Sequence, residues 1–474
     1  MGEGGGERVD TVVLLSKGTP LPELVDVADP GAWTALDAQV RRTPWRPSAY
    51  VPRRRRVAPP PADLAQADEP RLALALCHRD GRVREAALTF AARHAGLPPL
   101  VVIRCADWAE PVRVRARHLL RRTLDADTAP ALAAALILRL GRRHRGAYGV
   151  ELLAEVVGSA RRERLDALFA DPDRAVRRFA YRLAVEHGRL GAGELARAAG
   201  RDPDTVVQEV CSTAALAALP EAGPFDEVIG PLLAARGPLA RSAGVTALRR
   251  AGRPGHAEAF LTDRSGLVRA CARYVLRQHG GDPAAWYRER CRMPGGPAAA
   301  PGAVIGLAEC GDRGDAALLR SLLGHPSGRV RAHAVAGLRA LDATDPHLLT
   351  ALLDDPFPRV VRETALALLP YATALPAGHL MRRTGPKWPR HTRVAAFRLL
   401  TRRRGVVGLR AAVAALDDPD VKLRTWAGQY VQGWYPAPGE PLGDPEVGAL
   451  LDRSRHLFSD YVLRRRKWRA GLPA

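Results

Sequence analysis

Apolar residues along this chain recur in short blocks, and the blocks themselves recur. Val176, Ala180, Leu183 and Ala184 follow one another at three- and four-residue spacing, the signature of one buried helix face. Compact apolar runs such as Leu72–Cys77 and Leu348–Leu353 predict a shorter helix before each such segment. A turn separates the two, often Asp-Pro, which offers an N-cap followed by a Pro at the first helical position. The segment from Asp171 to Ala180 shows the unit most clearly. An acidic or turn residue opens it, an apolar residue follows at +5 (Val176), Arg at +6 (Arg177) and a small residue at +9 (Ala180).

The same spacing returns at Asp263, Val268, Arg269 and Ala272, at His325, Val330, Arg331 and Ala334, and at Asp418, Leu423, Arg424 and Ala427. Near the start it fits His78, Val83, Arg84 and Ala87, then Asp107, Val112, Arg113 and Ala116. Looser copies carry Gln208 with Cys211, Arg241 with Gly244, Arg362 with Ala365 and Arg393 with Ala396. Arg331, Arg362, Arg393 and Arg424 are each 31 residues apart, and degenerate units around Arg145 and Ala300 fill the gaps. One helix pair cannot bury its apolar face alone, so the units are expected to stack.

In this acid–apolar–Arg spacing the chain resembles the HEAT-repeat α-solenoids, especially the short subtype named after phycobilisome lyase subunits, over residues 61–435. The resemblance implies an all-α fold: a right-handed α-solenoid of about twelve HEAT-like helix pairs, each of roughly 31 residues, closed by a C-terminal capping helix. It also implies a ladder between repeats in which turn acids meet helix arginines. Asp171 with Arg177, Asp263 with Arg269 and Asp418 with Arg424 are the expected rungs, with Arg331 in the same role. The ladder is in doubt at Gln208 and around Ala300, which depart from the pattern.

Composition adds a question. The 474 residues carry 72 Lys+Arg against 50 Asp+Glu, a net charge of +22. Such an excess suits nucleic acid or an acidic protein. Yet only Lys17, Lys387, Lys422 and Lys467 are lysines and Asn is absent, the skew of a GC-rich genome, which explains Arg over Lys but not bases over acids. Function and composition both remain open as causes. No run of about 18 apolar residues predicts a membrane span, and Val12–Leu15 is too short for a signal peptide. Six scattered cysteines without a Cys-x-x-Cys pair suggest neither a zinc site nor disulfides, which fits a reducing cytoplasm.

Candidate chemistry is sparse. No phosphate loop or His-Glu-x-x-His helix is present, and His256-Ala257-Glu258 is half of a zinc-deaminase signature without its cysteines. No cofactor, metal or catalytic residue is expected. HEAT-like repeats also build glycosylases of alkylated bases. Trp108 with Asp107, or Trp426 with Asp418 or Asp420, fits the Trp–carboxylate pairing of such enzymes, but Asp107 and Asp418 already serve as turn residues.

One pattern exceeds the needs of the repeat. Bases recur eight and nine residues past the repeat Arg: Arg121 and Arg122, Arg249 and Arg250, Arg277, Arg339, and Arg402 with Arg403 and Arg404. Stacked units would align them as a basic rim suited to a long polyanion, although cations near helix C-termini also satisfy the helix dipole. Residues 1–60 are expected to form a flexible, basic, Pro-rich arm, with a short helix at Asp29-Pro30. At the other end, in residues 436–474, Asp444-Pro445 starts a capping helix whose apolar face runs Val447, Leu450, Leu451, Phe458, Tyr461 and Val462 before a basic tail. The leading expectation is a non-enzymatic scaffold binding a protein partner through its helical surface. The alternative is a nucleic-acid-binding solenoid using the Arg rim.

Overall fold

The computed structural model describes residues 11–43, 63–124, 131–219, 225–292, 301–436 and 442–473, and among them every regular element is helical. Residues Met1–Gly244 and Val245–Ala474 form two compact units. Each unit is a run of helix pairs packed in chain order, an all-α solenoid arrangement.

In the first unit a shorter helix pairs with a longer one five times in succession among the described residues. Glu69–Leu76 packs on Gly81–Ala91, Pro98–Arg104 on Glu110–Thr123, Ala131–Gly141 on Ala147–Gly158, Arg162–Phe169 on Arg174–Glu186, and Ala192–Arg201 on Thr205–Ala217. Second helices pack on second helices throughout, and first on first from Glu69–Leu76 through Pro98–Arg104 to Ala131–Gly141, which then packs on Arg174–Glu186. In the second unit the helices Pro301–Cys310, Gly328–Ala340, Pro358–Leu368 and Arg390–Arg402 lie side by side in that order. Their partners, such as Ala316–Ser321 and Pro346–Thr350, are barely a turn long and continue as 3-10 turns. They hold their place through buried Leu319, Leu323, Leu349 and Leu353.

The +9 position explains the close stacking. Ala87, Ala116, Ala180, Cys211, Ala272, Ala334, Ala396 and Ala427 are all buried. Gly244 occupies this position in its unit, and a methyl group added there would come within 2.9 Å of Leu232 Cβ and 3.0 Å of the Leu233 amide nitrogen. Only a residue without a side chain fits that approach.

The +6 arginine makes two kinds of contact. Its Nη1 donates to the carbonyl of its own turn: Arg84 to His78 (2.7 Å), Arg177 to Asp171 (2.8 Å), Arg269 to Asp263 (2.6 Å), Arg331 to His325 (2.7 Å) and Arg424 to Asp418 (2.6 Å). Its Nε and Nη2 reach forward to a carboxylate of the following unit. Arg84 meets Asp107 at 2.9 and 2.7 Å, Arg177 meets Asp202 at 2.9 and 3.3 Å, Arg331 meets Asp355 at 2.7 and 2.8 Å, and Arg393 meets Asp418 at 2.8 and 3.1 Å. The expected partners Asp171–Arg177, Asp263–Arg269 and Asp418–Arg424 therefore touch through a main-chain oxygen, and the carboxylate rung of Arg177 runs one unit further on, to Asp202. The reason is geometric: a guanidinium wrapped over its own turn has its remaining edge facing the neighbouring turn. The opening acid is meanwhile used locally, since it also accepts the amide two residues on, as Asp171 does from Asp173 (2.7 Å) and Asp355 from Phe357 (2.8 Å).

In two of the units that lack a rung, both ends change, whereas Arg113 and Arg424 keep the guanidinium on turn carbonyls. Gln208 replaces the arginine, still donates to the Asp202 carbonyl (2.8 Å), and faces a turn of Ala235, Arg236 and Gly237 that has no acid. Val361 occupies the +6 position after Asp355, with no acid in the turn from Arg383 to Pro389. Arg145 stands exposed in a turn, outside the ladder. Around Ala300 the rung is rerouted: Arg269 and Arg273 both bind Glu309, which projects from the helix Pro301–Cys310.

At the N-terminus the described part of the expected arm is helical. Thr11–Ser16, Leu21–Leu24 and Pro30–Arg42 bury Val12, Leu15, Leu21, Trp33, Leu36 and Val40 against the first pairs. Asp29 caps the third of these helices by accepting from Gly31 N at 2.7 Å. The Arg53–Arg56 run lies outside the described residues. At the C-terminus Asp444 caps Pro445–Arg453 as expected, but the chain turns at Ser454–Ser459 and a second helix, Asp460–Arg469, follows. Val447, Leu450 and Leu451 are buried, whereas Tyr461 and Val462 face solvent. Ser454, wholly buried, ends the first helix by bonding to the Leu450 and Leu451 carbonyls.

The ladder predicts unequal costs for similar substitutions. Arg393 and Asp418 are both buried, and Arg393 is the guanidinium that Asp418 meets, so Arg393→Met should cost about 3–5 kcal/mol by stranding a buried carboxylate. Arg113, bonded among the described residues to turn carbonyls, should cost about 1 kcal/mol when changed to Met. Chemical denaturation of both variants measures the difference.

Candidate interaction surfaces

The rim arginines sit where the spacing places them, at the C-terminal ends of second helices, but they do not share one role. Arg121 pairs with Glu155 at 2.9 Å, with both side chains exposed. Arg339 lies 3.7 Å from Glu363. Arg403 is structural, donating to the carbonyls of Ala372 (2.8 Å) and Leu375 (2.5 Å) in the preceding unit. Arg122, Arg249, Arg277, Arg402 and Arg404 are exposed and make no ion pair with the described residues. Arg250 is exposed as well. Arg404 has φ 59° and ψ −158°, a conformation suited to glycine, at the start of the helix Gly405–Ala414.

The carboxylates that a base-excising site would use are saturated. Asp107 receives Arg84, Arg104, Arg41 and the Ala109 amide. Asp418 is held by Arg393 and the Asp420 amide, and Asp420 by Arg390 and the Leu423 amide. A carboxylate with its lone pairs committed in this way is a poor general base. Trp108, 63% exposed, stands over the Arg84 guanidinium at 5.5 Å. Among the described residues no group of three or more His, Cys, Asp or Glu has the arrangement to hold a metal. Burial pushes the Cys105 and Cys211 thiols up to about 12 and Cys291 to about 11, so these sulfurs stay protonated.

Two half-buried histidines replace the opening acid. His78 Nδ1 accepts from Asp80 N at 3.1 Å and His325 Nδ1 from Ser327 N at 3.0 Å, as an Asp oxygen does elsewhere. Burial holds the His78 pKa below its usual value, which keeps the ring in the neutral form that can accept. At His325 no described arginine arrives from the preceding unit, where Pro301 and Gly302 stand, so a neutral acceptor suffices there. Asp171 is the exception. Ala147 stands 24 residues before it, where a rung arginine would be, so this buried carboxylate has no incoming guanidinium and burial raises its pKa.

Asp171 borders a cleft of about 550 Å³ between two helix pairs of the first unit. Its walls include Phe169 stacked on Tyr181 (4.3 Å between ring centroids), and Arg197 and Arg201 at its exposed edge.

Exposed apolar side chains gather on a few second helices. In the second unit Leu267 and Tyr274, 46% and 45% exposed, lie seven residues apart on Gly266–Gln278, with Ala270 and half-buried Cys271 between them on the same face. The opposite face of this helix holds Val268, Arg269, Ala272 and Val275 in the interior. Nothing in the packing of the array requires the outward stripe.

No protein-family model matches the chain, and no curated protein matches it in sequence. Among solved structures it is similar to importin-β, at 11% identity and a TM-score of 0.36, over 96% of this chain and 69% of that one. It is similar to yeast importin-β, Kap95p, studied with RanGDP, at 11% identity and a TM-score of 0.35, over 97% and 67%. A structure of microtubule polymerases with tumor-overexpressed-gene domain arrays matches at 13% identity and a TM-score of 0.23, over 85% and 97%. The fold rests on the helix packing above and takes no support from likenesses this distant. Among the described residues no helix is long and apolar enough to cross a membrane.

The two kinds of turn acid predict opposite pH behaviour. Asp171 has a raised pKa, so its stability contribution is complete below the ordinary carboxylate pKa of about 3.9 and is lost as pH rises through its folded value. Asp204 is held near about 2 by Arg178 and the Val206 and Val207 amides, so its contribution is present above about 3.9 and is lost as pH falls toward 2. At pH 7 Asp171→Asn should leave stability equal or higher, with the gain gone by about pH 4. Asp204→Asn should destabilise at pH 7, with the deficit shrinking as the pH falls toward 2. Denaturant melts across this range separate the two.

Proposed function

We propose that the chain is a non-enzymatic scaffold that binds a protein partner through the outward faces of its stacked second helices. The observation that carries this is the stripe of Leu267, Ala270, Cys271 and Tyr274. Apolar and aromatic side chains at helical spacing, left in water by a helix whose other face is fully packed, are what a partner surface buries. The commitment of the turn carboxylates to guanidinium and amide donors supports a structural rather than a chemical use for them. The finer architecture belongs to the same proposal: about twelve HEAT-like units of roughly 31 residues across residues 61–435, of the short phycobilisome-lyase subtype and wound right-handed. Buried, protonated thiols are compatible with a reducing compartment, which we take to be the cytoplasm.

The test is affinity capture from nuclease-treated lysate of the source cells, with the parent protein beside a Leu267→Arg/Tyr274→Arg variant. A stoichiometric protein partner held by the parent and lost by the variant, at unchanged melting temperature, is the expected result. No stoichiometric partner, or one equally retained by the variant, contradicts the proposal.

A further inference from the structure

On the helix Asp460–Arg469 two large rings stand in solvent, Tyr461 and Trp468 being 67% and 72% exposed. They lie seven residues apart, about 10 Å along one helix face, with Arg465 between them at the position four after Tyr461. Arg464 flanks this line on one side, and Val462 and Arg469 on the other, all exposed. The opposite side of the helix is fully engaged. Arg466 reaches the Trp434 and Gln432 carbonyls and lies over the Tyr435 and Phe458 rings at 4.8 and 5.0 Å, and Lys467 pairs with Asp452 at 2.8 Å. Arg469 also stands 5.4 Å over the ring of half-exposed Tyr435. Arg464 and Arg465 make no ion pair with the described residues.

We infer that this face is a docking site for a single-stranded nucleic acid. Flat side chains alternate with exposed guanidiniums along it: bases stack on Tyr461 and Trp468 while Arg464, Arg465 and Arg469 neutralise the phosphates between them. A duplex hides its base faces and has no use for the two exposed rings. A solely acidic protein would be served by the arginines without them. Because the contacts are to bases and phosphates, the site takes ribose and deoxyribose strands alike. The inference is independent of the protein-partner proposal, which concerns the helix Gly266–Gln278.

The test is fluorescence anisotropy of labelled 20-mers of deoxythymidine and of uridine, and of a 20-bp duplex, against full-length nuclease-treated protein across a salt series. The parent should bind both single strands alike and more tightly than the duplex near physiological salt. Tyr461→Ala/Trp468→Ala should weaken single-strand binding about 10-fold or more with the salt slope unchanged. Arg464→Gln/Arg465→Gln should weaken it and reduce the slope by about one to two. A rim variant, Arg249→Gln/Arg277→Gln/Arg402→Gln, should bind as the parent does. All these side chains are exposed, and melting temperatures identify any variant that fails to fold. The inference is overturned if single strands do not bind, if the duplex binds as well, or if the aromatic variant keeps parent affinity. Competition by polyglutamate as effective as by the oligonucleotide overturns it too, as does loss of binding only in the rim variant.

Discussion

A guanidinium that binds its own turn and the next turn at the same time is the contact on which this array depends. Arg84, Arg177 and Arg331 each satisfy main-chain oxygens that a tight turn would otherwise leave without donors, and each then presents a paired edge to the carboxylate one unit ahead. Stacked helices with small residues between them can slide, because Ala against Ala specifies distance more than register. A bidentate, buried ion pair tolerates little displacement. The apolar core supplies the drive to stack, and the ladder fixes where each unit stops.

The same constraint accounts for the exceptions. A buried guanidinium without an acid, or an acid without a guanidinium, strands a charge. Gln208 is accordingly found opposite an acid-free turn, Val361 likewise, and His325 takes the acceptor role where no described arginine arrives from behind. Asp171 keeps a carboxylate with no such arginine and shows the consequence in its raised pKa. Much of the basic composition is thus structural. Among the described residues, charge free to meet a partner includes Arg122, Arg277 and Arg402 and the outward face of the helix Asp460–Arg469.

The stacked-pair fold was legible because its period is long, regular and tied to residue types with one physical use each: a turn acid, a buried apolar residue, a small residue at the contact. Rung arginines were legible as structural for the same reason. Their partners were not, because spacing within one unit cannot tell a contact made there from one made a unit later. The break at Ser454 was hidden too. Phe458, Tyr461 and Val462 continue a helical spacing, and only the buried Ser454 hydroxyl, bonded to two carbonyls, marks where the helix ends. Before residue 43 the helix starting at Pro30 was legible from Asp29-Pro30, while Thr11–Ser16 and Leu21–Leu24 were obscured by the Pro- and Arg-rich segment whose composition dominates that end of the chain.

The most direct test of the ladder is a double-mutant cycle at Arg331 and Asp355, with each changed singly and together to Met and Leu and stability read by denaturant unfolding. If the rung fixes adjacent units, the coupling should be about 2–3 kcal/mol, with the double variant recovering most of what either single one loses. A coupling near zero, with the two losses simply adding, would contradict it and leave apolar packing as the sole source of register.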